Sequence, residues 1–137
     1  MRLSLIFALK LMLVSSSYCQ HQISEKDYSL YIQSLIGGER EVSIPSGRVD
    51  LVTKEYAFEI EKANKWKHSI GQSLWYALNT NRKPGIILIL ENSKDNKYMI
   101  QLNTALEYAD LADKIQVFIF PKDFEELINA TKGKKSR

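Results

Sequence analysis

Cysteine occurs once in this 137-residue chain, at Cys19, and histidine only at His21 and His68. One cysteine cannot close a disulfide within the chain and cannot build a cysteine zinc site. Proline is scarce, with three residues, and the six glycines form no phosphate-cradling loop. No apolar run approaches the roughly 20 residues that a membrane-spanning helix needs, so a stable membrane span is not expected. A serine elbow is missing too. Charge is abundant, with 19 Lys and Arg against 16 Asp and Glu, and its placement carries most of the functional information.

The chain opens with MRLSLIFALKLMLVSSSYC: Arg2, an apolar run from Leu3 to Val14 broken by Lys10, then small residues up to Cys19. That is the layout of a secretory signal peptide. Three segments are therefore expected: a signal peptide at 1–19, one domain at 20–131 and a basic disordered tail at 132–137. The expected location is exported, periplasmic or extracellular, with Gln20 as the new terminus. The tail holds four cations, and the body from 20 to 131 has 13 Lys and Arg against 16 Asp and Glu, or −3. A slightly acidic body does not advertise nucleic-acid binding by net charge.

Along the body, Tyr28, Tyr31, Ile32, Leu35 and Ile36 form a helical stripe that Ser24 caps and Gly37-Gly38 ends. Residues 41–44 alternate polar and apolar, and Pro45-Ser46-Gly47 reads as a turn. Residues 48–53 and 56–61 read as a hairpin. Asn64 caps a helix to about Leu78, with Trp66, Ile70, Leu74 and Ala77 as its core stripe. The unbroken apolar run 85–90 marks a strand covered on both faces. A helix from Asp95 to about Asp113, a strand over 116–120 and a helix over 123–130 complete an α/β chain with a mixed sheet flanked by helices.

The stretch VDLVTKEYAFEIEKANKW, residues 49–66, concentrates the chemistry. Alternation puts Val49, Leu51 and Thr53 on one face with Tyr56, Phe58 and Ile60, and Arg48, Asp50 and Val52 on the other with Ala57, Glu59 and Glu61. A two-residue Lys54-Glu55 turn sets Asp50 opposite Glu59. Facing like charges are unfavourable unless a cation lies between them, and a divalent metal would supply one. The plain alternative is the wet face of an amphipathic hairpin, with Arg48 neutralising Asp50. Glu41 is a third candidate: a Ser46-Gly47 turn would pair it with Val52, on the Asp50 face, whereas a three-residue turn would send it away.

On these residues, Asp50 followed by Glu59-Ile60-Glu61, with Gln72 and Tyr76 in GQSLWYA, the chain resembles the PD-(D/E)XK nuclease superfamily. Across about residues 37–91 it also looks like a group of small exported bacterial proteins without an assigned activity. The resemblance implies a restriction-endonuclease-like αβββαβ core and Mg²⁺- or Mn²⁺-dependent hydrolysis of DNA or RNA. Asp50 and Glu59, with Glu41, would hold the metal. Glu61, which stands where the superfamily usually has lysine, would orient water. Lys65, or Lys62 after it, would replace that lysine, and Gln72 would position water or a phosphate. The same resemblance admits a catalytically inactive secreted binding module. A carboxylate-pair glycosidase also fits two acids about 5 Å apart, but no aromatic platform stands beside them.

Overall fold

The computed structural model describes residues 22–135. The expected signal peptide and Cys19 lie outside the described residues. The first helix, α1 (Glu25–Ile36), starts in a reciprocal cap: Asp27 N–H donates to Ser24 Oγ at 3.1 Å, while Ser24 N–H and hydroxyl donate to the Asp27 carboxylate. Two of the donors that a helix start leaves without partners are thereby satisfied. The helix ends at Gly37, whose φ of 74° suits a residue without a Cβ.

Three antiparallel strands follow, β1 (Glu39–Ile44), β2 (Gly47–Val52) and β3 (Tyr56–Lys62), then α2 (Trp66–Thr80) after a short 3₁₀ turn. Next come β4 (Lys83–Ile89), α3 (Asn96–Tyr108), β5 (Gln116–Phe120) and α4 (Glu125–Lys135). The five strands lie in sequence order, and β3, β4 and β5 run parallel. The expected mixed α/β architecture is therefore present, with helices on both faces.

The apolar run 86–89 sits at the centre as expected. Ile87 and Ile89 pack beneath α1 and α4, in the cluster of Ile32, Phe58 and Phe124. Ile86 and Leu88 pack with Leu102 and Leu106 of α3. All four β4 side chains are fully buried, so each face of this strand contributes to a separate core. At its start, Gly85 lies flat against the Phe58 ring, where a Cβ would come within 2.5 Å.

Several boundaries and faces differ from the sequence reading. α3 stops at Tyr108 rather than Asp113, because Asp110 turns left-handed (φ 56°) and Leu111 N–H closes back on Leu106 O. Asp is one of the few side chains that tolerates that conformation. α4 continues to Lys135, past the expected start of the tail at 132. Ala and Lys favour helix, and cations suit a helix C-terminus. In α2 the buried face is Ser69, Ser73 and Tyr76, while Leu74 points outward, 38% exposed. Serine lets the helix sit close to the sheet in a way that a leucine at that place would not.

The hairpin turn is Pro45-Ser46, with Ser46 at φ 58°, and it pairs Glu39 with Val52. Neither turn considered from sequence is the one formed. Left-handed backbone at the third position of a four-residue turn after proline is a type II signature. Lys54-Glu55 does form the two-residue turn expected, closed by Thr53 N–H to Tyr56 O at 2.9 Å, and Leu51 pairs with Phe58.

Gly85→Ala tests the Phe58 contact. Phe58 is held by Tyr56 (ring centroids 5.2 Å apart) and Phe118 (5.7 Å) and cannot swing away. Overpacking of this kind costs about 1–3 kcal/mol. A urea unfolding curve should show that loss, and an unchanged midpoint would refute the packing account.

Candidate functional site

Glu41 and Asp50 face each other across the β1–β2 ladder, and both strands change faces there. Arg40 reaches α1, its Nε donating to Ser29 Oγ at 2.9 Å, and Leu51 joins the core under α1. Two residues further along the hairpin, Val42, Ile44 and Val49 instead pack with Ala57 and Tyr76 on the α2 side. Simple alternation had put Val49 with Leu51, and the structure corrects this. The switch passes through Glu41, held left-handed at φ 59°. Trp75 fixes the hairpin tip against α2, its Nε1 donating to Pro45 O at 2.8 Å.

The same kink parts β2 from β3 beyond the Leu51–Phe58 pair. Ile60 N–H then donates to Asp50 Oδ2, at 2.8 Å, in place of a backbone carbonyl. A side-chain acceptor thus satisfies a buried backbone donor that the opened ladder would otherwise orphan. The gap is a pocket of about 290 Å³ lined by Asp50, Glu59, Glu61, Glu41, Gln72 and, from α1, Glu25, Lys26 and Ser29.

Glu59 is 3% exposed. With the Gln72 amide oriented to satisfy both its ends, its nitrogen donates to Glu59 Oε1 and to His68 O, each at 3.1 Å. Its oxygen then accepts from the Tyr76 hydroxyl at 3.3 Å. Glu59 Oε2 is buried and meets no fixed donor among the described residues, and the Glu59 and Asp50 carboxyls are close enough to share a proton. Burial, followed by the charge of Asp50, pushes the Glu59 carboxyl up to about 9. Burial also raises Asp50, against the opposing bond from Ile60 N–H.

A second carboxylate pair closes the pocket mouth. Burial and a hydrogen bond with Glu25 raise Glu61 to about 7, with Lys65 opposing. Burial would also raise Glu25, but bonds from Lys65 and Glu61 prevail and hold it below the usual range. Lys65 Nζ lies 2.6 Å from Glu25 Oε1 and 3.8 Å from Glu61 Oε1. Arg48 pairs with Glu41 at 2.7 Å, not with Asp50 as sequence reading allowed.

The structure therefore brings together Asp50, Glu59, Glu61, Gln72 and the half-exposed Glu41. It leaves Lys65 out of the lining, committed to Glu25, and Lys62 pairs with Glu91 at 3.0 Å. Glu25, Lys26 and Ser29 were missed. An acid in a first helical turn reads from sequence as a dipole partner, and only the docking of α1 carries it to the pocket. Among the described residues, no three His, Cys, Asp or Glu side chains form a ready-made metal cluster. Two carboxylates that face each other, Asp50 and Glu59, are donors that a hard cation could take in place of their shared proton.

Comparison with known proteins points away from the nuclease superfamily. The chain is 40% identical over 72 residues to the KilA-N domain-containing protein L32 of Acanthamoeba polyphaga mimivirus, over 52% of this chain and 19% of that protein. It is 39% identical over 54 residues to the KilA-N domain-containing protein L33 of the same virus, over 39% of this chain and 22% of that one. The chain thus spans about a fifth of the length of the curated relatives it matches. No family model matches, and no solved structure matches.

The PD-(D/E)XK resemblance is accordingly corrected, and with it the expected function of an exported, metal-dependent phosphodiesterase. The relatives are named for a different domain. The physical reason that the motif misled is local: two acids opposite each other in a hairpin recur wherever strands part around a polar pocket. Neither Lys65 nor Lys62, the lysines expected to serve that chemistry, lines this one; its lysine is Lys26, from α1. Among the described residues no helix is long and apolar enough to cross a membrane.

The buried acids make stability depend on pH. Between the ordinary value of 4.5 and about 9, the unfolded chain releases the Glu59 proton and the native state keeps it. Stability therefore falls as pH rises, by up to about 1.4 kcal/mol per unit for one such group. Glu61 adds a loss in the same direction between 4.5 and about 7. Urea unfolding in EDTA should give a higher midpoint near pH 5.5 than near pH 8. Glu59→Gln should stabilise the protein at about pH 8 and flatten the profile. A profile that rises with pH would contradict the protonated, buried Glu59.

Proposed function

We propose that the chain is a nucleic-acid-binding domain whose acidic pocket takes a hard divalent cation between Asp50 and Glu59 and meets phosphate through it. The observation that carries this reading is a buried pair of carboxyls, Glu59 and Asp50, close enough to share a proton, with no fixed donor on Glu59 Oε2. A buried acceptor in that position costs roughly 1–3 kcal/mol unless something satisfies it. Below about pH 9 a proton answers the need on Glu59, and a divalent cation that displaces it answers for both carboxylates together.

The donor set suits Mg²⁺ or Mn²⁺, which take hard oxygens and hold a site through one or two carboxylates with water completing the shell. Asp50 keeps Oδ1 for the ion while Oδ2 holds Ile60 N–H. Gln72 orients Glu59 through Oε1 and leaves Oε2 to the ion. Glu41 and Glu61 stand at the mouth as outer acceptors for the ion's water.

Nucleic acid is favoured as the partner by the KilA-N designation of the viral relatives, which points to DNA binding. Charge explains why the cation matters. A body of net −3 repels phosphate, and phosphate contact normally dominates affinity for DNA. An ion of charge +2 in the pocket reverses the local sign. The basic residues of α4 would add a weaker, salt-sensitive attraction.

Fluorescence anisotropy with a labelled DNA duplex in Mg²⁺, Mn²⁺ or EDTA tests the reading. Chelation should weaken binding by about ten-fold, equivalent to roughly 1.4 kcal/mol. Asp50→Asn should bind equally weakly with or without the ion. Equal affinity of the unaltered protein in cation and in EDTA would overturn the cation-bridged contact.

A further inference from the structure

A second concavity, of about 780 Å³, lies at the opposite end of α1 from the acidic pocket. Glu25 and Lys26 of the helix border the first and Ile36 borders this one. Ten residues of helix put the two about 15 Å apart. The volume falls within the usual range for ligand sites, and the lining is mostly apolar.

The floor is aromatic. Tyr56 stacks on Phe58 with centroids 5.2 Å apart, and Phe118 meets both edge-on at 5.7 Å. Phe124 and the half-exposed Leu127 form the far wall. The depth depends on Gly85, which lets Phe58 lie down against β4.

The rim carries both signs: Glu55 neighbours Lys54 but is paired with Lys83 at 2.7 Å. On one side stand Lys54, in the β2–β3 turn, and Arg82, tied to that turn by its Nε donating to Thr53 O at 3.1 Å. Arg82 Nη1 donates to Thr80 O and Asn81 O, so Nη2 has no partner among the described residues. Lys54 has no ion-pair partner there either. Two further acceptors line the concavity, Glu39, paired with Val52 on the neighbouring strand, and Asp123, just after β5. Asp123 uses only Oδ2, which accepts from Ile119 N–H at 2.7 Å.

We propose that this concavity holds one unstacked nucleotide of a single nucleic-acid strand, its base against Tyr56 and Phe118, its phosphate on Lys54 and Arg82, and a base amino group on Glu39 or Asp123. Three kinds of surface match three parts of one ligand. A flat ring finds aromatic faces, as in single-strand binding sites. An anion finds two cations with free donors. An exocyclic amine, which adenine, guanine and cytosine carry and uracil does not, finds free carboxylate oxygens. A plain hydrocarbon would leave the charged rim unused. The choice of ligand rests on the nucleic-acid reading above and extends it to unpaired bases.

The test is calorimetric titration of residues 1–137 in EDTA with cytidine 5′-monophosphate, uridine 5′-monophosphate and ribose 5-phosphate. The cytidine nucleotide should bind about ten-fold or more tighter than ribose 5-phosphate, the ratio expected from stacking one base. It should also bind several-fold tighter than the uridine nucleotide. Leu127→Asp, on an exposed helix position, should remove the preference for base over ribose, and Lys54→Ala should weaken all three ligands. Labelled single-stranded DNA should follow the cytidine nucleotide in both variants. Equal affinity for cytidine monophosphate and ribose phosphate overturns the proposal, as does a Leu127→Asp variant that melts normally and keeps the preference. Free nucleotide binding with no response of single-stranded DNA to either variant overturns the strand as the ligand's source. These titrations contain no divalent ion, so a failure here is separable from a failure of the cation-bridged contact, which is read on duplex DNA.

Discussion

One hydrogen bond organises the polar half of this molecule: Ile60 N–H to Asp50 Oδ2, at 2.8 Å. It replaces a rung of the β2–β3 ladder with a side chain and so lets the two strands separate without leaving a backbone donor unsatisfied. The separation is what gives Glu59 a cavity to face. It also lets the β1–β2 hairpin cross from the α1 side of the sheet to the α2 side within a few residues. Glu41 absorbs that crossing in a left-handed conformation, held on either side by Arg40 and by Arg48. Strain of this sort costs roughly 1–3 kcal/mol and persists only where the surroundings fix it.

The pocket makes physical sense as a store of opposed tendencies. Burial raises Glu59, Asp50 and Glu61 together, while the cations of the strands and of the turn into α2 are spent elsewhere. Lys65 serves Glu25, Lys62 serves Glu91 and Arg48 serves Glu41. A fold selected only for stability would pair these acids or replace them by apolar groups, which is often neutral or better. Here the rigid neighbours, β4 buried on both faces and the close-packed serine face of α2, are firm enough to carry an unfavourable polar site.

Much of the fold was legible in the sequence because its signals are local or periodic. Ser24 and Gly37 mark both ends of α1, and the run 86–89 announces a strand covered on both sides. Lys54-Glu55 sets the register that brings Asp50 and Glu59 together. What failed depends on geometry that no spacing encodes. The Pro45-Ser46 turn, the left-handed Asp110 and the change of face at Glu41 are each settled by tertiary contacts that outweigh propensity. The site shows the same division. Its strand acids could be read from alternation, but Glu25 reaches it only through the docking of α1, and Lys65 is drawn off by that same helix.

The failure of the nuclease motif follows from this division. An acid opposite an acid-x-acid is a statement about one strand pair, and strand pairs part around polar pockets in unrelated proteins. What would distinguish a hydrolytic centre is a cation placed over the acids, and that depends on a partner from outside the hairpin. In this chain α1 supplies Glu25, which takes the lysine for itself. The lysine left in the lining, Lys26, comes from that same helix and not from the hairpin or α2, where the motif places its cation. The same helix that draws Lys65 away also ends beside the aromatic concavity, so its docking shapes both sites at once.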